Sequence, residues 1–153
     1  MMKLCSDVLK ALEGKTLCTA ESLTGGGIGA ALTAVPGASK VFKGGVISYT
    51  DEVKREVLGV PAADLTTFGA VSAPVAQAMA QGARKLLKAD VAVSVTGLAG
   101  PDGDDFGHEV GTVFIGYADK KNVTVGEYHF NGDREAVRMQ TIQAALQLIL
   151  DNQ

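Results

Sequence analysis

The sequence predicts an α/β fold: one mixed β-sheet covered by helices in three layers. Short apolar, β-branched runs alternate with longer segments of helical periodicity. Hydrophobic residues make up 46% of the 153-residue chain, enough for one sizeable core. No repeat, linker or low-complexity stretch divides it, so residues 1–153 are expected to form one domain.

The elements follow in order. Val8, Leu9 and Leu12 repeat at helical spacing, and Gly14 closes that first helix. "TLCTA" (16–20) reads as a short buried strand. "IGAALTAV" (28–35) is helical until Pro36-Gly37 stops it. "GGVISYT" (44–50) is a second strand, followed by a short polar helix at "DEVKREVLG" (51–59). Ser72 is placed as the N-cap of a long helix from Ala73 to about Lys88, with Pro74 in its first turn. "DVAVSVTG" (90–97) predicts a central buried strand. "GTVFIGYAD" and "VTVGEYHF" predict a hairpin across Asp119-Lys120-Lys121-Asn122. From Asp133 to Asp151, Val137, Ile142, Leu146 and Ile149 share one face of a final helix.

Composition excludes several function classes. A net charge of −3 argues against a nucleic-acid-binding surface. No apolar run approaches the roughly 20 residues of a membrane span. Asp7 and Lys10 interrupt the opening apolar positions, against a signal peptide. Cys5 and Cys18 form no C-x-x-C and suggest a reduced, cytoplasmic chain. With only two histidines besides, a His/Cys zinc site is not expected; no metal ligand and no cofactor are assigned.

Ligand sites of α/β sheets gather at the carboxyl ends of strands. Four polar, glycine-rich loops fall there: Glu21–Gly27, Tyr49–Lys54, Thr96–Gly103 and Asn131–Arg138. In the first, "TAESLTGGGIGA" (19–30) sets Ser22 ahead of three glycines whose amides can crowd an anion or an oxyanion. Gly25 to Ala30 also fits G-x-G-x-x-A, with Asp51 as a possible ribose acid, but "ESLT" separates the strand from the first glycine. A dinucleotide turn needs that glycine at once. The structural alternative is that Thr24 caps a helix and the glycines permit close packing.

A serine nucleophile needs a base. His108 and His129 lie in a polar loop and a strand, neither a convincing partner position. A desolvated lysine is the other option: "YTDEVK" offers Tyr49 and Lys54 just past a strand end. Against it, Asp51, Glu52, Arg55 and Glu56 suit a solvated helix lysine. The loop "TGLAGPDGDD" (96–105) presents amides that can hold a phosphate or carboxylate, and its acids hint at either a metal or a solvated turn. "GDREAVR" puts Arg134 and Arg138 one helical turn apart, as a phosphate clamp or as an exposed helix start capped by Asp133.

In this order the segments resemble the CinA C-terminal domain family, whose active members are nicotinamide-nucleotide amidohydrolases. "AESLTGG" is similar to the family's A-E-S-C-T-G-G, "SYTDEVK" to its Y-S-N-x-x-K, and "TGLAGP" to S/T-G-I-A-G-P. "GAVS" (69–72), "VGTV" (110–113) and "GDR" (132–134) complete the series over nearly the whole chain. The resemblance implies hydrolysis of the carboxamide of nicotinamide mononucleotide to nicotinic acid mononucleotide and ammonia. It implies Ser22 as nucleophile, Lys54 as its base and Tyr49 as their partner. Thr24, Gly25 and Gly26 would supply the oxyanion amides. Glu21, Thr96, Gly97, Ala99, Gly100, Arg134 and Arg138 would bind substrate. It further implies a small-molecule nucleotide as the partner and a homo-oligomer, without nucleic acid or membrane. The alternative is a non-catalytic nucleotide-binding or interaction domain associated with competence or DNA damage. Leu23 stands where the family has cysteine, and Thr50-Asp51 where it has Ser-Asn. "DGDDFGHE" (102–109) is more acidic than the family's segment. Asp51 is expected to raise the pKa of Lys54 and so to work against its use as a base.

Overall fold

Five strands and six helices build the computed structural model, which describes Met1–Gln153. The order is α1 (Met2–Ala11), β1 (Leu17–Glu21), α2 (Gly27–Thr33), β2 (Phe42–Ile47), α3 (Asp51–Glu56), α4 (Ala62–Phe68) and α5 (Ala73–Leu87). Then come β3 (Val91–Gly97), β4 (Thr112–Ala118), β5 (Val123–His129) and α6 (Arg134–Asp151). A 3₁₀ turn at Ala38–Lys40 precedes β2.

The sheet runs β2-β1-β3-β4-β5. β1 pairs parallel with both β2 and β3, while β4 and β5 add antiparallel through hairpins. Helices α1, α2 and α6 cover one face, and α5 covers the other with α4 beside it. Leu17, Val93, Val95 and Ile115 point toward the first layer, where Leu12, Ile28, Leu146 and Ile149 meet them in the larger core. Cys18, Ala20 and Ala92, one residue out of phase, face Val75, Met79 and Ala83 of α5. This alternation fixes register, because a slip of one residue would exchange the two cores. β1, β3 and β4 are buried almost throughout, as the apolar runs predicted.

The predicted elements form, with two additions and two changes of detail. Helix α4 and the 3₁₀ turn were not read from the sequence. No residue of α4 is buried, so it leaves no apolar periodicity to detect. Ser72 precedes α5, but its hydroxyl donates to the Gly69 carbonyl rather than accepting from the helix. Nor does Thr24 cap α2. The residue before that helix is Gly26, and the Glu21 carboxylate accepts from the Ile28 and Gly29 amides. A carboxylate at a helix N-terminus satisfies two orphan donors and complements the helix dipole.

The strand directions bring all four polar loops to one end of the sheet. β1, β2, β3 and β5 all finish there. From β1 the chain crosses to β2, whereas β3 continues to β4 on the other side. The crevice between the ends of β1 and β3 is therefore the topological switch point, where ligands of open α/β sheets bind. No helix is long and apolar enough to cross a membrane.

Candidate active site

A cleft of about 560 Å³ opens at this switch point, with Ser22, Lys54, Thr96 and Arg134 among its walls. Ser22 is the first residue after β1, and its amide continues the ladder to the Val95 carbonyl at 3.1 Å. The chain then turns, with the Gly25 amide donating to the Ser22 carbonyl at 3.1 Å. Gly25 and Gly26 take φ of +59° and +97°, which explains glycine at both positions. The hydroxyl of Ser22 is left at the cleft floor, in a residue 7% exposed.

Lys54 reaches the same point from α3. Thr50 caps that helix through its hydroxyl, which accepts from the Val53 amide at 3.3 Å. This cap sets the helix phase so that Lys54 turns inward while Asp51, Glu52, Arg55 and Glu56 stay exposed. The lysine is 2% exposed, and its Nζ lies 3.1 Å from Ser22 Oγ and 3.4 Å from the Tyr49 carbonyl oxygen. No carboxylate stands within ion-pairing distance of it. Burial holds the Lys54 pKa below the usual lysine range, and the Asp51 charge pulls it part of the way back. A lowered pKa favours the neutral form, the form that can accept a proton from a hydroxyl at this distance.

The solvated-helix reading of Lys54 is thus replaced by a buried one. Tyr49 needs a correction. Its main-chain carbonyl meets Lys54, while its hydroxyl, on a residue 56% exposed, accepts from Arg134 Nη2 at 3.0 Å. The phenol lines the same cleft but is hydrogen-bonded to Arg134, not to Ser22 or Lys54.

Among the amides, Gly25 N–H is spent inside the turn, so it is not an oxyanion donor. Those of Leu23, Thr24 and Gly26 have no acceptor within the chain, but only Leu23 lines the cleft; Thr24 is fully buried, so the expected Thr24 and Gly26 donors do not reach it. The Leu23 amide is not among the donors that the resemblance implies. The signal that would have found it is that the residue after a nucleophile commonly supplies an oxyanion amide.

Glu21, expected to bind substrate, is turned the other way. It is 2% exposed and its carboxylate accepts from Thr19 Oγ1, Thr24 Oγ1 and the two α2 amides. Its work is to hold the loop. Arg138 is likewise not on the cleft wall: its Nε donates to the Leu23 carbonyl at 3.0 Å and its Nη2 to the Thr24 carbonyl at 3.2 Å. Arg134 alone of the pair faces the cleft, bound to the Gly100 carbonyl and the Tyr49 hydroxyl. Asp133 caps α6 as foreseen, accepting from the Ala136 amide.

Thr96, Gly97, Ala99 and Gly100 line the opposite wall. The Thr96 hydroxyl donates to the Ala70 carbonyl, tying the wall to the 69–72 segment. The amides of Ala99 and Gly100 have no acceptor within the chain. Apolar contacts come from Leu23, Val71, Leu98 and Phe106, a lining suited to a flat ring. Asp51, Asp102, Asp104 and Asp105 make the rim acidic.

Other reactive groups stand apart. His108 pairs with Asp104 at 2.7 Å and His129 with Glu127 at 2.7 Å, and neither lines the cleft. Cys18 is fully buried and its thiol is pushed up to about 12 by burial, so it is no rival nucleophile. No group of three or more His, Cys, Asp or Glu side chains is arranged to hold a metal ion.

Comparison with known proteins agrees with this fold. The family model of the CinA C-terminal domain matches residues 1–152. A CinA-like protein of Synechococcus sp. (strain CC9311) is 60% identical over 114 residues, covering 73% of this chain and 27% of that protein. A CinA-like protein of Endomicrobium trichonymphae is 47% identical over 135 residues, 88% of this chain and 32% of its own length. The chain therefore spans about a third of these curated relatives. The crystal structure of a competence-damaged protein (CinA) superfamily protein from Escherichia coli superposes with a TM-score of 0.97. It is 34% identical and covers 99% of this chain and 90% of that one. The chain belongs to the CinA family, and its match is to the family's C-terminal domain.

Proposed function

We propose that this chain hydrolyses the carboxamide of nicotinamide mononucleotide to nicotinic acid mononucleotide and ammonia, with Ser22 and Lys54 as the reacting pair. The observation that carries this reading is the buried Lys54 Nζ, 3.1 Å from Ser22 Oγ at the floor of a cleft.

Neutral Lys54 takes the hydroxyl proton as Ser22 Oγ attacks the carboxamide carbon. The tetrahedral oxyanion forms beside the Leu23 amide, such a donor being worth about 3 kcal/mol when well placed. The lysine then returns its proton to the leaving nitrogen, and ammonia departs. Water, deprotonated by the same lysine, attacks the acyl ester; the lysine passes that proton to Ser22 Oγ as the acyl–oxygen bond breaks, and nicotinic acid mononucleotide leaves, losing its carboxyl proton to solvent. The Tyr49 carbonyl keeps the lysine aimed at Ser22 throughout.

Substrate binding divides between the two walls. The apolar lining takes the pyridine ring. Arg134 and the unpaired amides of Ala99 and Gly100 receive the phosphate. The acidic rim opposes that phosphate and favours the pyridinium charge, so Arg134 carries much of the phosphate's recognition.

The test is ammonia release from nicotinamide mononucleotide by the purified chain, with Ser22→Ala beside it. Turnover in the wild type and its loss in the variant is the expected outcome. A wild type that binds the nucleotide yet releases no ammonia would make it a binding domain.

A further inference from the structure

We infer that Phe106 determines specificity for a cationic ring: its side chain is the platform on which the pyridinium of the substrate stacks. The inference rests on the nicotinamide mononucleotide reading above and names a residue and an attraction which that reading does not require.

Phe106 is half-exposed and lines the cleft. Gly69 backs its ring: a Cβ built there would come within 2.6 Å of Cδ2 and Cε2, so the phenyl lies directly on that backbone. Gly69 also takes φ of +75°, so its conformation and its contact with the ring both call for glycine. The main chain that carries the ring is fixed as well. The Asp104 carboxylate accepts from the Phe106 amide at 3.1 Å and the His108 amide at 3.0 Å, and pairs with His108 Nδ1 at 2.7 Å. The His108 ring in turn meets Phe114 of β4 edge-on, with 6.3 Å between centroids. A half-exposed aromatic ring held in this way is preorganised, so little ordering is lost when a ligand stacks on it.

The position suits the substrate ring. The Ser22 amide bonds the Val95 carbonyl, the hydroxyl of the next residue, Thr96, bonds the Ala70 carbonyl, and Gly69 adjoins Ala70. One continuous wall thus leads from the nucleophile to the phenyl ring. A carboxamide placed at Ser22 leaves its pyridine ring to lie along that wall.

The charge suits it too. The face of a phenyl ring is the negative end of its quadrupole and attracts a cation within about 6 Å of its centre. Asp51, Asp102 and Asp105 on the same cleft add charge of the same sign, and none of them is in an ion pair. Tyr49, the other aromatic ring of the lining, has its hydroxyl engaged by Arg134. A neutral ring of similar size gains the apolar contact with Phe106 without this attraction.

The chain contains no tryptophan, so Phe106→Trp introduces a single fluorophore at the platform. A pyridinium stacked on an indole quenches its emission by electron transfer and adds a charge-transfer absorption band. Phe106→Trp is made in the Ser22→Ala protein, which removes the nucleophile, and is titrated with nicotinamide mononucleotide while calorimetry follows occupancy. Phe68→Trp in the same background is the control, since Phe68 is exposed and outside the cleft lining. Most of the emission of Phe106→Trp should be lost at saturation, with the new band, while Phe68→Trp keeps its own. Calorimetry also compares the nucleotide with its reduced form, whose dihydropyridine ring is uncharged. Phe106→Leu in the Ser22→Ala protein should weaken the oxidised nucleotide about 3- to 30-fold and the reduced one by less than about threefold. Bound nucleotide without quenching would overturn the inference. Equal weakening of both forms would overturn it as well, leaving Phe106 a plain apolar contact. If no protein of the series binds the nucleotide, the substrate reading falls together with the inference. If the wild type binds it without releasing ammonia, only the hydrolysis reading falls, and the fluorescence still decides the role of Phe106.

Discussion

Asp51 and Lys54 lie one helical turn apart at the start of α3, and they act against each other on the same proton. Burial lowers the lysine pKa, and the carboxylate raises it. A base must be neutral to start the reaction, so activity rises as pH climbs through the lysine pKa. Asp51→Asn removes the opposing charge and is expected to move that rise to lower pH and to increase kcat/KM at neutrality. The check is kcat/KM against pH for both proteins. An unmoved profile would uncouple Asp51 from the base.

The same burial has a stability consequence. Lys54 has a folded pKa below its unfolded value of about 10.5, so between the two the unfolded chain binds more protons. Stability at this site is therefore lowest below the folded pKa and rises with pH through that window. Lys54→Met, which keeps the volume and discards the charge, is expected to raise Tm near pH 7 while abolishing turnover. The gain should shrink as pH approaches 10.5. A lower Tm for the variant at pH 7 would mean that the bonds to Ser22 and Tyr49 outweigh the burial cost.

Glu21 is expected to matter for folding first and for activity through it. Its carboxylate accepts four hydrogen bonds, two from the α2 amides and two from threonine hydroxyls. Glu21→Ala leaves these buried donors unpaired and should cost about 3 kcal/mol in urea unfolding at pH 7. A loss under about 0.5 kcal/mol would show that α2 caps itself by other means.

Tyr49 separates two accounts of the proton path. Its hydroxyl binds Arg134, and only its carbonyl touches Lys54. Tyr49→Phe is expected to raise KM by freeing Arg134, with kcat reduced far less than in Lys54→Ala. Steady-state kinetics on the three proteins decide it. Equal collapse of kcat in both variants would return the phenol to the proton path.

Much of this was legible in the sequence, because each strong signal had a local cause. The β-branched run at 91–97 became the central strand β3, and Pro74 sits in the first turn of α5. All four polar loops converge on the sheet end where they were placed. The errors concern directions that only packing decides. Glu21 lies beside Ser22 in sequence but points into the start of α2. Arg138 shares a helix face with Arg134, yet one turn of α6 carries it behind the nucleophile loop. For Lys54 the charged neighbours suggested a solvated helix residue while the family resemblance implied the base, since nothing local shows which of five polar residues on a short helix turns inward.

The measurement that tests the central claim most directly is ammonia release from nicotinamide mononucleotide, followed in parallel for wild type and Ser22→Ala. The account predicts ammonia from the wild type in step with nicotinic acid mononucleotide. It predicts at least a ~10³-fold lower rate in a folded Ser22→Ala protein. Wild-type turnover in that variant would remove Ser22 from the chemistry and contradict the serine–lysine reading.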